Sequence, residues 1–141
     1  RASGPALQHD ISVPVPKMAD CITQSTPKIE TTFSGVEVAA FGHMGDGNVH
    51  YHVKAPVGVD ANSWIAESAE RITPMIHDLV VASGGSISAE HGIGQTKRAE
   101  LGRLSGDARM WTLQAIKAAL DPNNIMNPGK LVPLASERAA S

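Results

Sequence analysis

A tight turn between two strand-like runs is the feature that most constrains the fold of this chain. Residues 36–41 are nearly continuous apolar residues, and residues 48–53 form a second strand-like run. Between them, Gly45-Asp46-Gly47-Asn48 supplies residue types that tolerate positive φ in hairpin turns. The segment therefore predicts an antiparallel hairpin. In it His50 and His52 share one sheet face, and Val49, Tyr51 and Val53 occupy the other.

Apolar periodicity predicts the other elements, and prolines and glycines mark where they end. Before the hairpin we expect an edge strand over 11–15 and a helix over about 17–33 that Pro27 breaks or kinks. After it we expect a helix over about 61–82, a short strand over 85–88, and helices over 96–104 and 107–120. This order predicts an α+β fold, namely a ferredoxin-like sandwich with helices on one face of an antiparallel sheet, followed by C-terminal helices.

Composition narrows the classes of function. The chain has 141 residues, the size of one ordinary domain, and its net charge of −2 includes no basic run, which argues against nucleic acid as a partner. No stretch has the apolar length of a transmembrane segment. Cys21 is the only cysteine, so a disulfide framework is excluded. We expect a cytoplasmic protein, or one peripheral to the inner face of the membrane.

Two glycine-framed segments carry the candidate site. His43 and His50 flank the hairpin turn, and Glu90 and His91 follow the predicted strand over 85–88. Two imidazoles and a carboxylate, His43, His50 and Glu90, suit zinc, manganese or iron, and His91 adds a neighbouring base. The alternative is that both histidines only decorate a hairpin whose glycines serve the turn.

Four segments together resemble the C-terminal domain of FAD-linked oxidases, a family that includes D-lactate dehydrogenases, glycolate oxidase subunits and D-2-hydroxyglutarate dehydrogenases. The resemblance spans about residues 4–133, and its matching pieces are Asp10 to Val15, Gly42 to His50, Glu90 to Gly94 with Lys97, and Asp121-Pro122 through Leu131. The order and spacing of the four make it more specific than any single motif.

The resemblance implies roles for individual residues. It implies that His43, His50 and Glu90 hold a divalent metal, usually zinc with manganese as an alternative, and that His91 is the general base. It also implies that the Asn127 to Lys130 segment, with Asn127, Gly129 and Lys130, lies against the flavin. Two positions depart from the family pattern: Gln8 stands where many members carry lysine, and His52 where many carry asparagine. In the family both positions help to hold polar groups of the substrate, so these departures leave the identity of the substrate undetermined. His52 could also compete as a metal ligand.

The resemblance also implies what the chain does. Residues 1–141 would be the substrate- and metal-binding C-terminal domain of an FAD-dependent oxidoreductase that oxidises a small D-2-hydroxy acid, with an electron acceptor that the sequence does not identify. We expect a fragment that lacks the N-terminal FAD-binding domain and is inactive alone. The alternatives are a metal-independent FAD oxidase of another alcohol class, a stand-alone metal-binding module and a hydrolytic metalloenzyme.

Overall fold

The structure is a computed structural model that describes residues 6–132. It divides into two compact units, the first ending at His91 and the second beginning at Gly92. None of the helices in the described part of the chain is long and apolar enough to cross a membrane.

The first unit is built on a three-stranded antiparallel sheet. Its strands are β1 (Ala6–Ser12), β2 (Glu37–His43) and β3 (Asn48–Lys54), and β3 lies in the centre of the order β1-β3-β2. Helix α1 (Met18–Thr32) connects β1 to β2, and helix α2 (Ala61–Ala82) follows β3. The predicted hairpin and the predicted α+β class are both confirmed.

The fourth strand of the predicted sandwich is reduced to a single bridge. Instead of a strand over 85–88, the structure has one antiparallel bridge between Ser12 and Ser86 at the outer side of β1. Ser86 donates its N–H to the Ser12 carbonyl at 2.8 Å and accepts from the Ser12 N–H at 3.0 Å. The order Ser86-β1-β3-β2 follows the ferredoxin-like connection of strands and helices.

Both helices pack on one face of the sheet, because alternate strand residues are apolar. Asp60 caps α2 by accepting the N–H of Ser63, as a capping side chain should. The buried core lies between sheet and helices, and its members are Leu7, Ile11, Met18, Ile29, Val49, Tyr51, Val53, Ile72, Ile76 and Val80.

One predicted boundary was wrong. The first strand covers Ala6–Ser12 rather than 11–15, because Pro14 and Pro16 cannot donate to a ladder and the chain turns there into a short 3-10 helix, Val15–Lys17. Pro27 does not break α1. Pro27 lies on the exposed side of the helix.

The second unit contains two helices and a long C-terminal turn. They are α3 (Arg98–Leu104), which begins two residues later than predicted, and α4 (Asp107–Leu120), which matches the prediction. No side chain of α4 is buried. Beyond it, Asp121 accepts hydrogen bonds from the N–H groups of Ile125 and Met126 at 2.9 Å each, so the turn folds around one buried carboxylate.

Candidate functional site

The face of the sheet opposite the helices carries the site residues that were predicted on strands. Register places Asp10 of β1 and Phe41 of β2 on either side of His50 in β3, and places Gln8 beside His52. Paired residues of an antiparallel ladder lie on the same face. Gln8 and His52, which the sequence singles out separately, are therefore direct cross-strand neighbours.

His43 and Glu90 come together at one end of this face. His43 ends β2, and its Nδ1 lies 3.9 Å from Glu90 Oε1 and 3.8 Å from Asp46 Oδ2. The His43 and His50 rings are nearly perpendicular, with centroids 6.3 Å apart. With 61% of the His43 side chain and 51% of the Glu90 side chain exposed, both groups can be reached by a ligand.

The segment that carries Glu90 and His91 is held by a buried carboxylate of β1. Asp10 Oδ2 accepts the N–H groups of Ala89, Glu90 and His91 at 3.1, 3.0 and 2.9 Å, and the Ser88 hydroxyl at 3.2 Å. The side chain of Asp10 is only 3% exposed, whereas the side chain of His91 is 69% exposed. The arrangement ties the segment to the sheet and leaves the imidazole of His91 accessible.

Among the described residues, the set whose ligand atoms have the spacing of a metal site is not the predicted set His43, His50 and Glu90. One possible ligand atom from each of Asp10, Glu90 and His91 lies within 4.8 Å of the other two. The Asp10 Oδ2 atom, 3.7 Å from His91 Nδ1, already accepts four hydrogen bonds. Asp10 is therefore engaged as a structural acceptor, and Glu90 is the carboxylate that both sets share.

The side chains of His43, His50 and Glu90 are of the chemical types that bind a divalent metal ion. His43, His50 and Glu90 supply two imidazoles and a carboxylate from one open surface, a donor set typical of zinc and manganese. Asn48, the cross-strand partner of His43, has both amide atoms buried with no hydrogen-bond partner among the described residues. A buried amide of this kind needs a partner, and a ligand or water at the site would supply one.

His52 and Phe41 border the site on the same face. The Phe41 ring contacts His52 edge-on with centroids 4.9 Å apart, and lies 5.4 Å from the His50 ring. Partial burial is the larger cause that holds the pKa of His52 below its ordinary value, and the neighbouring His50 is the smaller one. His52 is thus biased toward the neutral imidazole, the form that accepts hydrogen bonds or ligates metals.

The Asn127 to Lys130 segment belongs to the second unit and turns sharply. Asn127 and Gly129 have φ of 48° and 72°, and the Lys130 N–H donates to the Asn127 carbonyl at 3.2 Å. Arg98 Nη1 donates to the Gly129 carbonyl at 2.9 Å. The side chains of Asn127 and Lys130 are exposed, so both can contact a ligand.

Two residues that shape these segments were missed in the sequence. In the sequence, Asp10 is identified only as the first residue of a segment that resembles the family, although a carboxylate inside the run Leu7-Gln8-His9-Asp10-Ile11 could have marked a buried acceptor. Arg98 lies directly after Lys97, and no sequence signal links it to Gly129. Its role becomes visible only once the turn is folded.

The chain matches a known protein family over most of its length. The family described as FAD linked oxidases, C-terminal domain, matches residues 1–131. A solved structure, a C-terminal segment of the alpha subunit of aIF2 from Pyrococcus abyssi, covers 62% of this chain and 52% of that chain at 20% identity and a TM-score of 0.38, too low to bear on fold or function.

Curated relatives are similar in sequence to most of this chain. A D-2-hydroxyglutarate dehydrogenase of Stutzerimonas stutzeri is 36% identical over 88% of the chain, and a D-lactate dehydrogenase of Archaeoglobus fulgidus is 37% identical over 87%. A mitochondrial D-2-hydroxyglutarate dehydrogenase of Rattus norvegicus is 31% identical over 92%. The chain spans 26%, 26% and 23% of these relatives. The chain belongs to the FAD linked oxidases and corresponds to their C-terminal domain.

Proposed function

We propose that this chain is the substrate- and metal-binding part of an FAD-dependent oxidoreductase that converts a D-2-hydroxy acid of the lactate, glycolate or 2-hydroxyglutarate type into the 2-oxo acid. The observation that carries the proposal is the approach of His43 Nδ1 to Glu90 Oε1 at 3.9 Å on the open sheet face. It joins two segments that are distant in sequence into one polar site. The family match and the dehydrogenases among the relatives support the reaction class.

In this proposal His43, His50 and Glu90 hold a divalent metal, zinc or manganese. A metal bound there would polarise the α-hydroxyl of the substrate and fix the orientation of its carboxylate. Asp46 lies 3.8 Å from His43 Nδ1 and helps to orient that imidazole. The exposure of His43 and Glu90 leaves room for substrate oxygens beside them.

His91 is the proposed general base. Its imidazole is accessible and lies beside Glu90, and its backbone N–H is held by Asp10. His91 accepts the proton of the substrate hydroxyl while the α-hydrogen leaves with its electron pair, so that the carbon–oxygen bond becomes a carbonyl. Bound FAD would supply the acceptor for that hydride, which balances the oxidation of the substrate.

Substrate selection is assigned to Gln8 and His52, the cross-strand pair next to the site. Neither carries a fixed positive charge, because Gln8 is neutral and the pKa of His52 lies below its ordinary value. In the second unit Asn127, Gly129 and Lys130 are assigned to the flavin, most of which would be bound by a domain outside this chain. The proposed location is the cytoplasm or the inner face of a membrane; some relatives carry mitochondrial names.

Calorimetry of zinc and manganese binding tests the metal assignment. We expect one ion per chain, with binding lost in His43→Ala and in Glu90→Ala because each removes a ligand. Glu67→Ala, which removes an exposed carboxylate from α2, is the matched control and should bind like the wild type. Binding that persists in both ligand variants contradicts the assignment, and no binding by the wild type favours the metal-independent oxidase.

Turnover tests the reaction. We expect no flavin-dependent oxidation by the 141-residue chain alone. In a flavoprotein that contains this domain, His91→Ala should lower kcat for D-lactate or D-2-hydroxyglutarate by roughly 10²–10⁴-fold, the usual contribution of a general base. If His91→Ala kept the kcat of the wild type, His91 would not be the general base.

A further inference from the structure

Three consecutive backbone N–H groups and one hydroxyl converge on a single buried oxygen. Asp10 Oδ2 accepts from Ala89, Glu90 and His91 within 3.1 Å, and from Ser88 Oγ at 3.2 Å. Charge-assisted hydrogen bonds of this kind are stronger than neutral ones, and they offset the cost of burying a carboxylate. Four donors from one segment bind this single oxygen, so Asp10 is a specific anchor for residues 88–91.

The anchored segment has little other backbone support from the sheet. Its last ladder contact is the single bridge at Ser86, and residues 88–91 lie outside any helix or strand. Asp10 itself is fixed in β1, directly opposite His50 of β3. One carboxylate therefore couples the segment bearing Glu90 and His91 to the strand bearing His50.

We infer that Asp10 is a positioning residue that holds the backbone of residues 89–91, so that Glu90 and His91 face the same surface as His43 and His50. The functional meaning of this role rests on the proposed function, since it is there that Glu90 is a ligand and His91 the base. The hydrogen-bonded anchor itself can be tested without metal, flavin or substrate.

Asp10 as a metal ligand is the competing role for the same carboxylate. Oδ2, the oxygen next to His91, is used by four donors, so a metal ion that took this oxygen would displace some of them. The two roles predict different behaviour when metal is added. A positioning residue keeps its hydrogen bonds to the three N–H groups, and a ligand loses some of them.

The first test is the direct detection of these hydrogen bonds by nuclear magnetic resonance in the metal-free wild-type chain. We expect scalar couplings across the hydrogen bonds, from the backbone nitrogens of residues 89–91 to the carboxyl carbon of Asp10. The couplings should persist after zinc is added. Their absence overturns the inference, and their disappearance on addition of zinc assigns Asp10 to the metal instead.

The second test uses Asp10→Asn, which keeps the shape but replaces the charged acceptor with an amide. We expect hydrogen exchange at residues 89–91 to become at least about tenfold faster, while Val49 and Val53 exchange as in the wild type. Asp20→Asn removes an exposed carboxylate from α1 and is the matched control. Unchanged exchange at residues 89–91 overturns the inference. If Asp10→Asn does not fold, the wild-type couplings decide.

Zinc affinity then separates this inference from the proposed function. Loss of a residue that orients a ligand typically weakens metal binding by about 10–100-fold. We expect a weakening of that size in Asp10→Asn, against complete loss in His43→Ala. Equal affinity in Asp10→Asn and wild type overturns the positioning role. A wild type that binds no zinc overturns the metal assignment, while the couplings still decide whether Asp10 is the anchor.

Discussion

At the scale of single residues, Gly47 in the hairpin turn allows the segment after β1 to approach closely. Gly47 has φ of +82°, and its carbonyl accepts the N–H of Val13 at 2.9 Å. A Cβ at Gly47 would overlap the Val13 carbonyl oxygen, which is backbone and cannot move aside. Glycine is thus required here both by its backbone conformation and by the close approach of a second segment.

We expect Gly47→Ala to lower the free energy of unfolding by about 1–3 kcal/mol, the cost of holding an L-residue in a strained conformation. Urea unfolding followed by circular dichroism measures the change. Gly45→Ala is the matched control in the same turn, since nothing lies within 4 Å of a Cβ built there. Equal stabilities of the two variants would contradict the argument.

At the scale of elements, a buried histidine connects β1 with β3 and α2. His9 contacts the Tyr51 carbonyl through Nδ1 at 3.1 Å and the Thr73 hydroxyl through Nε2 at 3.0 Å. A carbonyl can only accept, so Nδ1 carries the hydrogen of the bond to Tyr51, and Nε2 forms the bond with the Thr73 hydroxyl. This link fixes the position of α2 over the helix-covered face, opposite the site.

Thr73→Val tests this connection, because it keeps the shape of the side chain and removes the hydroxyl. We expect a loss of about 1 kcal/mol in the free energy of unfolding, the net contribution of one hydrogen bond. Thr23→Val on the exposed side of α1 is the control and should change stability by less than about 0.5 kcal/mol. A thermal or urea denaturation series on both variants measures the difference.

The C-terminal turn should respond to acid. The hydrogen bond from Lys117, followed by those from the Met126 and Ile125 N–H groups, holds the pKa of Asp121 below its ordinary value. A lowered folded-state pKa means that the carboxylate stabilises the turn above the unfolded pKa of about 3.9. That stabilisation is lost as the pH falls through the folded-state pKa.

We therefore expect the amide resonances of Ile125 and Met126 to shift together in an acid titration, with a midpoint below about 3.9. Asp121→Asn should abolish this transition, whereas Asp107→Asn, at the start of α4, should leave it unchanged. A midpoint above the ordinary value of an aspartate would show that the carboxylate is not stabilised by these partners.

At the scale of the whole molecule, burial is distributed unevenly. Every member of the main apolar cluster belongs to the first unit. In the second unit α4 buries no side chain, and its exposed large apolar residues are Trp111, Ile116 and Leu120. Helix stability in proteins comes mainly from packing of an apolar face, so α4 has little to resist local opening.

Hydrogen exchange followed by mass spectrometry tests this difference in stability. We expect peptides of α4 to exchange at least about 100-fold faster than peptides of α2, which contributes Ile72, Ile76 and Val80 to the core. The comparison is internal, since both helices are measured in the same chain. Equal protection of the two helices would contradict it.

Local patterns in the sequence determined the hairpin, the bounds of α2 and α4, and the shared sheet face of His50 and His52. Turn chemistry and the two- and 3.6-residue periods act over a few residues, so they can be read without the fold. The same patterns were wrong about β1 and about the fourth strand. Whether a short run forms a ladder depends on its neighbours in the sheet.

The tertiary structure alone decided how the distant segments meet. Asp10 reaches the N–H groups of residues 89–91, and Arg98 reaches the Gly129 carbonyl, across long stretches of chain. The pairing of Gln8 with His52 likewise follows from strand register. Such contacts depend on how sheet, helices and loops pack, and no local propensity encodes them. The residue types of the site were therefore evident in the sequence, and their support became evident only in the fold.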